Sequence, residues 1–374
     1  MSVQSSVPVV RPEVARCKAY VPGLSIDEIR QKYHLDTVIK MASNENPLGT
    51  SPLVQAALQR HAAKAFRYPQ GGNPRLVAAL AAFHRVDPAR IVLGNGSDEI
   101  IDMLLRMRAA PHVDNMVCFR PCFSIYPLQA QLCGIEVRQQ NLAEDFSFSW
   151  QALRALVDEH TALVFVTTPD NPSGWCPPRD EVLAFARSLP AGCLLVVDEA
   201  YMDFADDEQA QSLLHVPDCP ENILFLRTFS KSFGLAGLRL GYGIFSPVLA
   251  EYFWRVRLPF SVNILAEEAG LAALDDDVFR AETLRVVREG RHLVHKTLTA
   301  MGCTVYPSQA NFCMFAPPPS GPPALELFEQ LLRQGIIIRP LQSYALPHLL
   351  RVSVGNTAEN AAFVHAMHTI VARP

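Results

Sequence analysis

No run of 18 apolar residues occurs in this 374-residue chain, so no membrane-spanning helix is expected. The N-terminus, Met1 to Pro12, lacks the basic start and apolar core of a secretory signal. Paired cysteines are missing too. The nine are an odd number, scattered, without one Cys-x-x-Cys, and Cys118 and Cys122 are the nearest two. That pattern argues against a disulfide frame or a zinc site and predicts reduced thiols in a cytoplasmic chain. Nor is there a surplus of positive charge: 33 Lys and Arg against 37 Asp and Glu leave a net charge of −4, with a pI near 6.3. Partners that favour basic patches, nucleic acid and acidic membranes, are therefore not expected. The histidines show no ligand spacing, so no metal is expected. The chain has no internal repeat and no Gly-x-Gly-x-x-Gly nucleotide fingerprint.

What is present describes a globular protein, 49% hydrophobic and 19% charged, long enough for two domains. Residues 1–43 read as an arm with one short helix, Ile26 to Tyr33. Between 44 and 258, apolar runs of strand length alternate with helix-length segments. Those runs include Ile91 to Leu93, Met116 to Phe119, Ala162 to Val166, Leu194 to Val197, Ile223 to Leu226 and Gly241 to Phe245. Strands this apolar are covered on both faces, which predicts an α/β fold with a mostly parallel sheet between helices. Pro259 breaks the pattern. A long helical stretch, Asn263 to Ala300, then opens a smaller α+β domain expected over 259–374. The proline-rich tract from Ala316 to Pro323 reads as a loop between a strand and a helix.

One lysine stands out. Lys231 lies in Leu226-Arg227-Thr228-Phe229-Ser230-Lys231-Ser232-Phe233-Gly234, an apolar, glycine-spaced setting. A lysine desolvated in this way loses its proton readily and attacks an aldehyde. Gly94-Asn95-Gly96-Ser97-Asp98-Glu99 follows a strand and opens a helix. Its first amides can hold a phosphate, although a plain Ser N-cap with acidic first-turn residues explains the same letters. Asn171 sits in the Pro-flanked turn Asp170-Asn171-Pro172-Ser173-Gly174, and Asp198 ends an apolar strand at the edge where such sheets bind ligands.

Six segments in order carry a resemblance: Ala42 to Gly49, Arg67-Tyr68-Pro69, Gly94 to Glu99, Thr168 to Gly174, Val196 to Tyr201, and Leu226 to Arg239. Together they resemble the fold-type I, aspartate-aminotransferase-like family of pyridoxal-phosphate enzymes, most of all its histidinol-phosphate aminotransferases, from about Tyr20 to about Asn356. The resemblance implies catalytic roles for Lys231, Asp198 and Tyr201. It implies that the backbone amides of Gly96, Ser97 and Asp98, with Ser230, Arg239 and Thr228, form a phosphate cup. Phe123 would stack on the cofactor ring, where many relatives carry tyrosine. Asn171 and Tyr201 would reach its phenolate oxygen, and Asp198 its pyridine nitrogen. Tyr68 would reach the cofactor of a neighbouring subunit, making the active unit a homodimer with shared sites. Arg351 and Arg339 would bind the anionic end of the substrate, with Tyr20 and Asn44 at the opening.

The implied reaction is a ping-pong transamination from histidinol phosphate to 2-oxoglutarate. An aromatic amino-acid aminotransferase shares every cofactor residue, and a threonine-phosphate decarboxylase is a lyase of similar sequence. A cofactor-binding regulatory module is disfavoured by the acidic net charge.

Overall fold

The computed structural model describes residues 10–17 and 23–371. A capping box at Ser25 opens the first substantial helix, Ile26–Tyr33, and strand β1 (Ile39–Lys40) follows. Seven strands then build the main sheet: β2 (Ile91–Asn95), β3 (Asn115–Arg120), β4 (Glu136–Asn141), β5 (Thr161–Thr167), β6 (Leu194–Asp198), β7 (Ile223–Thr228) and β8 (Leu240–Ile244). Their order is β2-β8-β7-β6-β5-β3-β4. Strands β4, β3, β5, β6 and β7 pair in parallel, and β8 runs antiparallel to both of its neighbours. This is the mostly parallel sheet the apolar runs predict.

Every residue of β5 is buried, because helices cover both faces. Side chains still alternate. Val164 and Val166 join Val197 and Phe225 in one apolar cluster, whereas Leu163 and Phe165 join Val196 and Leu226 in another. The edge strand β4 is polar and half-exposed, which suits an edge and explains why no apolar run announces it.

A second, four-stranded sheet has the order β12-β13-β10-β9, from β9 (Thr304–Val305), β10 (Phe312–Ala316), β12 (Arg339–Pro340) and β13 (Leu350–Ser353). Strand β11 (Ile336–Ile337) pairs in parallel with β1. The N-terminal segment thus adds Ile29, Met41 and Ala42 to the core of the C-terminal layer. The proline tract links β10 to the helix Ala324–Arg333.

Two expectations shift. The single helical stretch over 263–300 is two helices, Ile264–Leu274 and Asp277–Ala300, because Asp276 caps the second through the amide of Phe279. The first of them packs on the helices Pro52–His61 and Pro74–His84, and its Ala266, Ala269 and Ala273 belong to the main core. This helix, which follows Pro259, therefore packs with the main sheet rather than with the second one.

Candidate active site

A cleft opens over the carboxyl ends of β5, β6 and β7, where ligands enter open parallel sheets. The loop after β7 brings Lys231 into it. The ammonium Nζ donates to the Ser43 carbonyl at 3.3 Å and lies 5.6 Å from the centre of the Tyr201 ring. Burial, helped by repulsion from the Arg351 guanidinium, pulls its pKa down to about 8, against the pull of Glu45 and Asp98. An appreciable fraction of the amine is then unprotonated near neutral pH.

Asp198 closes β6 and is 3% exposed. The Tyr126 hydroxyl donates to its Oδ2 at 2.6 Å, and the Ala200 amide to its Oδ1 at 3.1 Å. Burial still wins and pushes the carboxyl up to about 6. A buried carboxylate in this condition is stabilised by an arriving cation. Tyr201 lies beside it, its phenol pushed up by burial and its hydroxyl accepting from Asn44 Nδ2 at 3.1 Å.

Asn171 has its polarity fixed by chemistry. Arg351 Nη1 donates to Asn171 Oδ1, and a guanidinium has no acceptor. The carboxamide oxygen must face the arginine, which leaves the NH₂ group for the cleft. Arg351 is 5% exposed, gives Nη2 to the Ala42 carbonyl at 3.1 Å and, among the described residues, has no partner at Nε.

The far end of the cleft combines a guanidinium with a helix start, a setting that can receive an anion. Gly96 starts the helix Gly96–Arg108 with φ +74°, and a Cβ there would lie 2.4 Å from Arg239 Nη2. Gly241 on β8 is as constrained: its Cβ would meet the Ser97 amide nitrogen at 2.3 Å. Only glycine lets the guanidinium and the strand approach the helix start so closely. The amides of Ser97 and Asp98 lie in the first turn, where no intrahelical acceptor exists. Ser230 lines the cleft, and its hydroxyl has no protein partner among the described residues. Thr228 also lines it, but its hydroxyl accepts from the Ser230 amide at 3.1 Å and so braces the loop. The Asp98 carboxylate, awkward beside a phosphate, instead accepts from Arg239 Nη2 at 2.9 Å.

The cleft thus brings together Lys231, Asp198, Tyr201, Asn171, Phe123, Ser97, Asp98, Thr228, Ser230 and Arg239. Other expected residues fall elsewhere. Asn44 is 1% exposed and stands behind Tyr201, its Oδ1 taken by the Ser353 hydroxyl at 2.8 Å, so it orients the phenol rather than lining an opening. Arg339 faces Arg351 across the β12–β13 register but lines a neighbouring cleft with Gly23 and Leu24. Tyr68 is 79% exposed and stacks on Phe260 with ring centres 4.8 Å apart, outside this chain's own cleft. Tyr20 lies outside the described residues. The sequence reading gives no role to Tyr126 or Thr167, whose hydroxyls lie 2.8 Å apart at the buried side of Asp198. The available signal is spacing: Tyr126 follows Phe123 by three residues, in a turn closed by its amide donating to the Phe123 carbonyl at 3.2 Å.

Known proteins point the same way. A histidinol-phosphate aminotransferase of Nitratidesulfovibrio vulgaris (strain Hildenborough) is 64% identical over 362 residues, 97% of this chain and 96% of the relative. One from Oleidesulfovibrio alaskensis is 60% identical over 96% of this chain and 94% of its own length. The crystal structure of histidinol-phosphate aminotransferase from Sinorhizobium meliloti in complex with pyridoxal-5'-phosphate superimposes with a TM-score of 0.86 at 26% identity, covering 98% of this chain and 99% of that one. The model of the aminotransferase class I and II family matches residues 36–367, and with such relatives over nearly its whole length this chain belongs to that family.

Proposed function

We propose that this chain is a pyridoxal-phosphate-dependent transaminase that moves the amino group of L-histidinol phosphate to 2-oxoglutarate, giving imidazole-acetol phosphate and glutamate in histidine biosynthesis. The observation that carries the reading is an amine drawn below its ordinary pKa sharing one cleft with a buried carboxylate. The cofactor fits this structure on its own terms. Its phosphate suits the Gly96 cradle, the Arg239 guanidinium and the unpartnered Ser230 hydroxyl, and its ring suits Phe123.

When bound, pyridoxal phosphate supplies an aldehyde for the amine and a ring that accepts the electrons left at the substrate carbon. Asp198 would face the ring nitrogen and keep its proton in place. Asn171, through its NH₂, and Tyr201, through its hydroxyl, would hold the ring oxygen. Lys231 Nζ would be the base that takes the proton from the amine-bearing carbon of the substrate. Arg351, buried directly behind Asn171, would supply the positive charge for the donor's phosphate or a keto acid's carboxylate. The return half-reaction uses the same groups in reverse order.

Two copies make the working unit in this reading. The exposed Phe66, Tyr68 and Phe260, the last two stacked on each other, would suit a second copy, and Tyr68 would then reach the partner's cleft. The cytoplasm is the fitting compartment, since the nine cysteines are free thiols.

Purified protein loaded with pyridoxal phosphate should form glutamate from 2-oxoglutarate fastest with L-histidinol phosphate as donor. A faster rate with phenylalanine, or carbon dioxide released from O-phosphothreonine, would overturn the donor assignment. Tyr126→Phe is informative beside it. Losing the donor to Asp198 Oδ2 raises that carboxyl further, since the bond favours its charged form. The rate should fall roughly 10-fold or more, and the acid limb of the pH–rate profile should move to higher pH. An unmoved limb would show that Tyr126 does not govern Asp198.

A further inference from the structure

Behind the cleft lies a buried ion cluster that no step above uses. At its centre is Arg227, the next-to-last residue of β7, four before Lys231 and 2% exposed. Its Nε donates to Glu199 Oε2 at 2.8 Å. Its Nη1 donates to Asp203 Oδ1 at 3.0 Å and to Glu208 Oε1 at 2.9 Å. The positions of these acceptors in the chain are telling. Glu199 follows Asp198 directly, and Asp203 is two residues past Tyr201. Ser232, the residue after Lys231, donates its hydroxyl to Asp203 Oδ2. Each of the three groups of the chemistry is thus one or two residues from a side chain that leads to one guanidinium.

We propose that Arg227 is a positioning residue for amine transfer, fixing the spacing of Lys231, Asp198 and Tyr201 through its planar fork. The proposal rests on the transaminase reading above. A guanidinium carries five N–H donors in fixed directions and can serve separate carboxylates at once, whereas a lysine ammonium is a compact point charge with three. The fork also lies on β7, the strand that leads into the Lys231 loop, so a change of grip is passed on over four residues. Misplacement of a reacting group by about 1 Å is enough to cost about 100-fold in rate. Simple removal of the guanidinium would strand the fully buried Glu199 and endanger folding, although Arg280 would still pair with Asp203 at 3.9 Å and Glu208 at 3.4 Å. The informative variants are therefore Arg227→Lys, which keeps the charge, and Ser232→Ala, which cuts only the link to the lysine loop.

Both should be measured as loaded holoenzyme with histidinol phosphate and 2-oxoglutarate, alongside melting curves and the pH midpoint of the visible cofactor band. Arg227→Lys should lower kcat by roughly 30- to 100-fold with KM within about threefold. The band midpoint should move by about half a pH unit or more, since Lys231 and Asp198 change their distance to surrounding charges. Ser232→Ala should move both readouts in the same direction, with kcat down about fivefold. A purely structural cluster predicts lower melting temperatures with kcat and midpoint unchanged in both variants, and that result would overturn the proposal. If Arg227→Lys does not fold, Ser232→Ala decides alone: wild-type kcat and midpoint refute the link. A wild-type protein without the visible band or amine transfer would sink the transaminase reading itself, a failure seen in the control and distinct from the other.

Discussion

Replacing Lys231 with alanine should lower the rate of amine transfer by about 10⁴-fold, the upper end of what a lost acid–base group costs. The expectation follows from its place. No other lysine lines the cleft. The loaded variant should also lose the visible absorbance of the wild type, because the amine that holds the aldehyde is gone. Stability supplies an independent reading. The folded protein holds the Lys231 proton less tightly than the unfolded chain does, about 8 against 10.5. Below about 8 the fold carries a desolvated ammonium, and that penalty fades as pH rises from about 8 to 10.5. Melting temperatures of the cofactor-free proteins should therefore show wild type gaining on Lys231→Ala over that interval. Parallel curves, or an unchanged visible band, would remove Lys231 from its assigned role.

That lysine was legible because its neighbourhood is written locally: an apolar, glycine-spaced loop directly after a buried strand. The same holds for Asp198 at the end of β6 and for the Gly96 helix start, each a short segment whose letters state its backbone. The parallel sheet was legible for a related reason, since doubly covered strands such as β5 must be apolar throughout. Polar β4 and the two-residue strand β12 left no such trace. Packing allegiance was hidden as well. The helix Ile264–Leu274 is apolar nearly all round, so periodicity could not say which core claims it. The support of the site was the least visible part. Tyr126 meets Asp198 across 72 residues, Asn44 meets Tyr201 across 157, and Arg351 meets Asn171 across 180. Such pairs are made by topology, and each partner alone looks like an ordinary buried polar residue.

Asp198→Asn should push stability and activity in opposite directions. In the cofactor-free protein, burial lifts the carboxyl from 3.8 to about 6. A folded pKa above the unfolded one means that the fold prefers the proton; the contribution is complete below 3.8 and is lost as pH rises through about 6. At pH 7 the wild type thus bears the full cost of an under-stabilised charge, about 3 kcal/mol at 1.36 kcal/mol per unit. Asparagine is neutral and nearly the same shape. Its oxygen can still accept from the Ala200 amide, and its NH₂ can donate to Tyr126, whose own O–H then turns to Thr167. The cofactor-free variant should therefore melt above wild type at pH 7, with the difference vanishing near pH 4. Loaded with pyridoxal phosphate, the order should reverse, because a buried ring cation left without its carboxylate loses about 3–5 kcal/mol. Spread over the reaction, that loss amounts to roughly a 10²- to 10⁴-fold slower transfer. A variant of wild-type rate would place the ring nitrogen elsewhere, and a variant less stable than wild type at pH 7 without cofactor would mean that Asp198 is held in the fold by more than Tyr126 and one amide. The opposed signs are what distinguish a carboxylate kept for chemistry from one kept for the fold, since a structural acid loses both when it is neutralised.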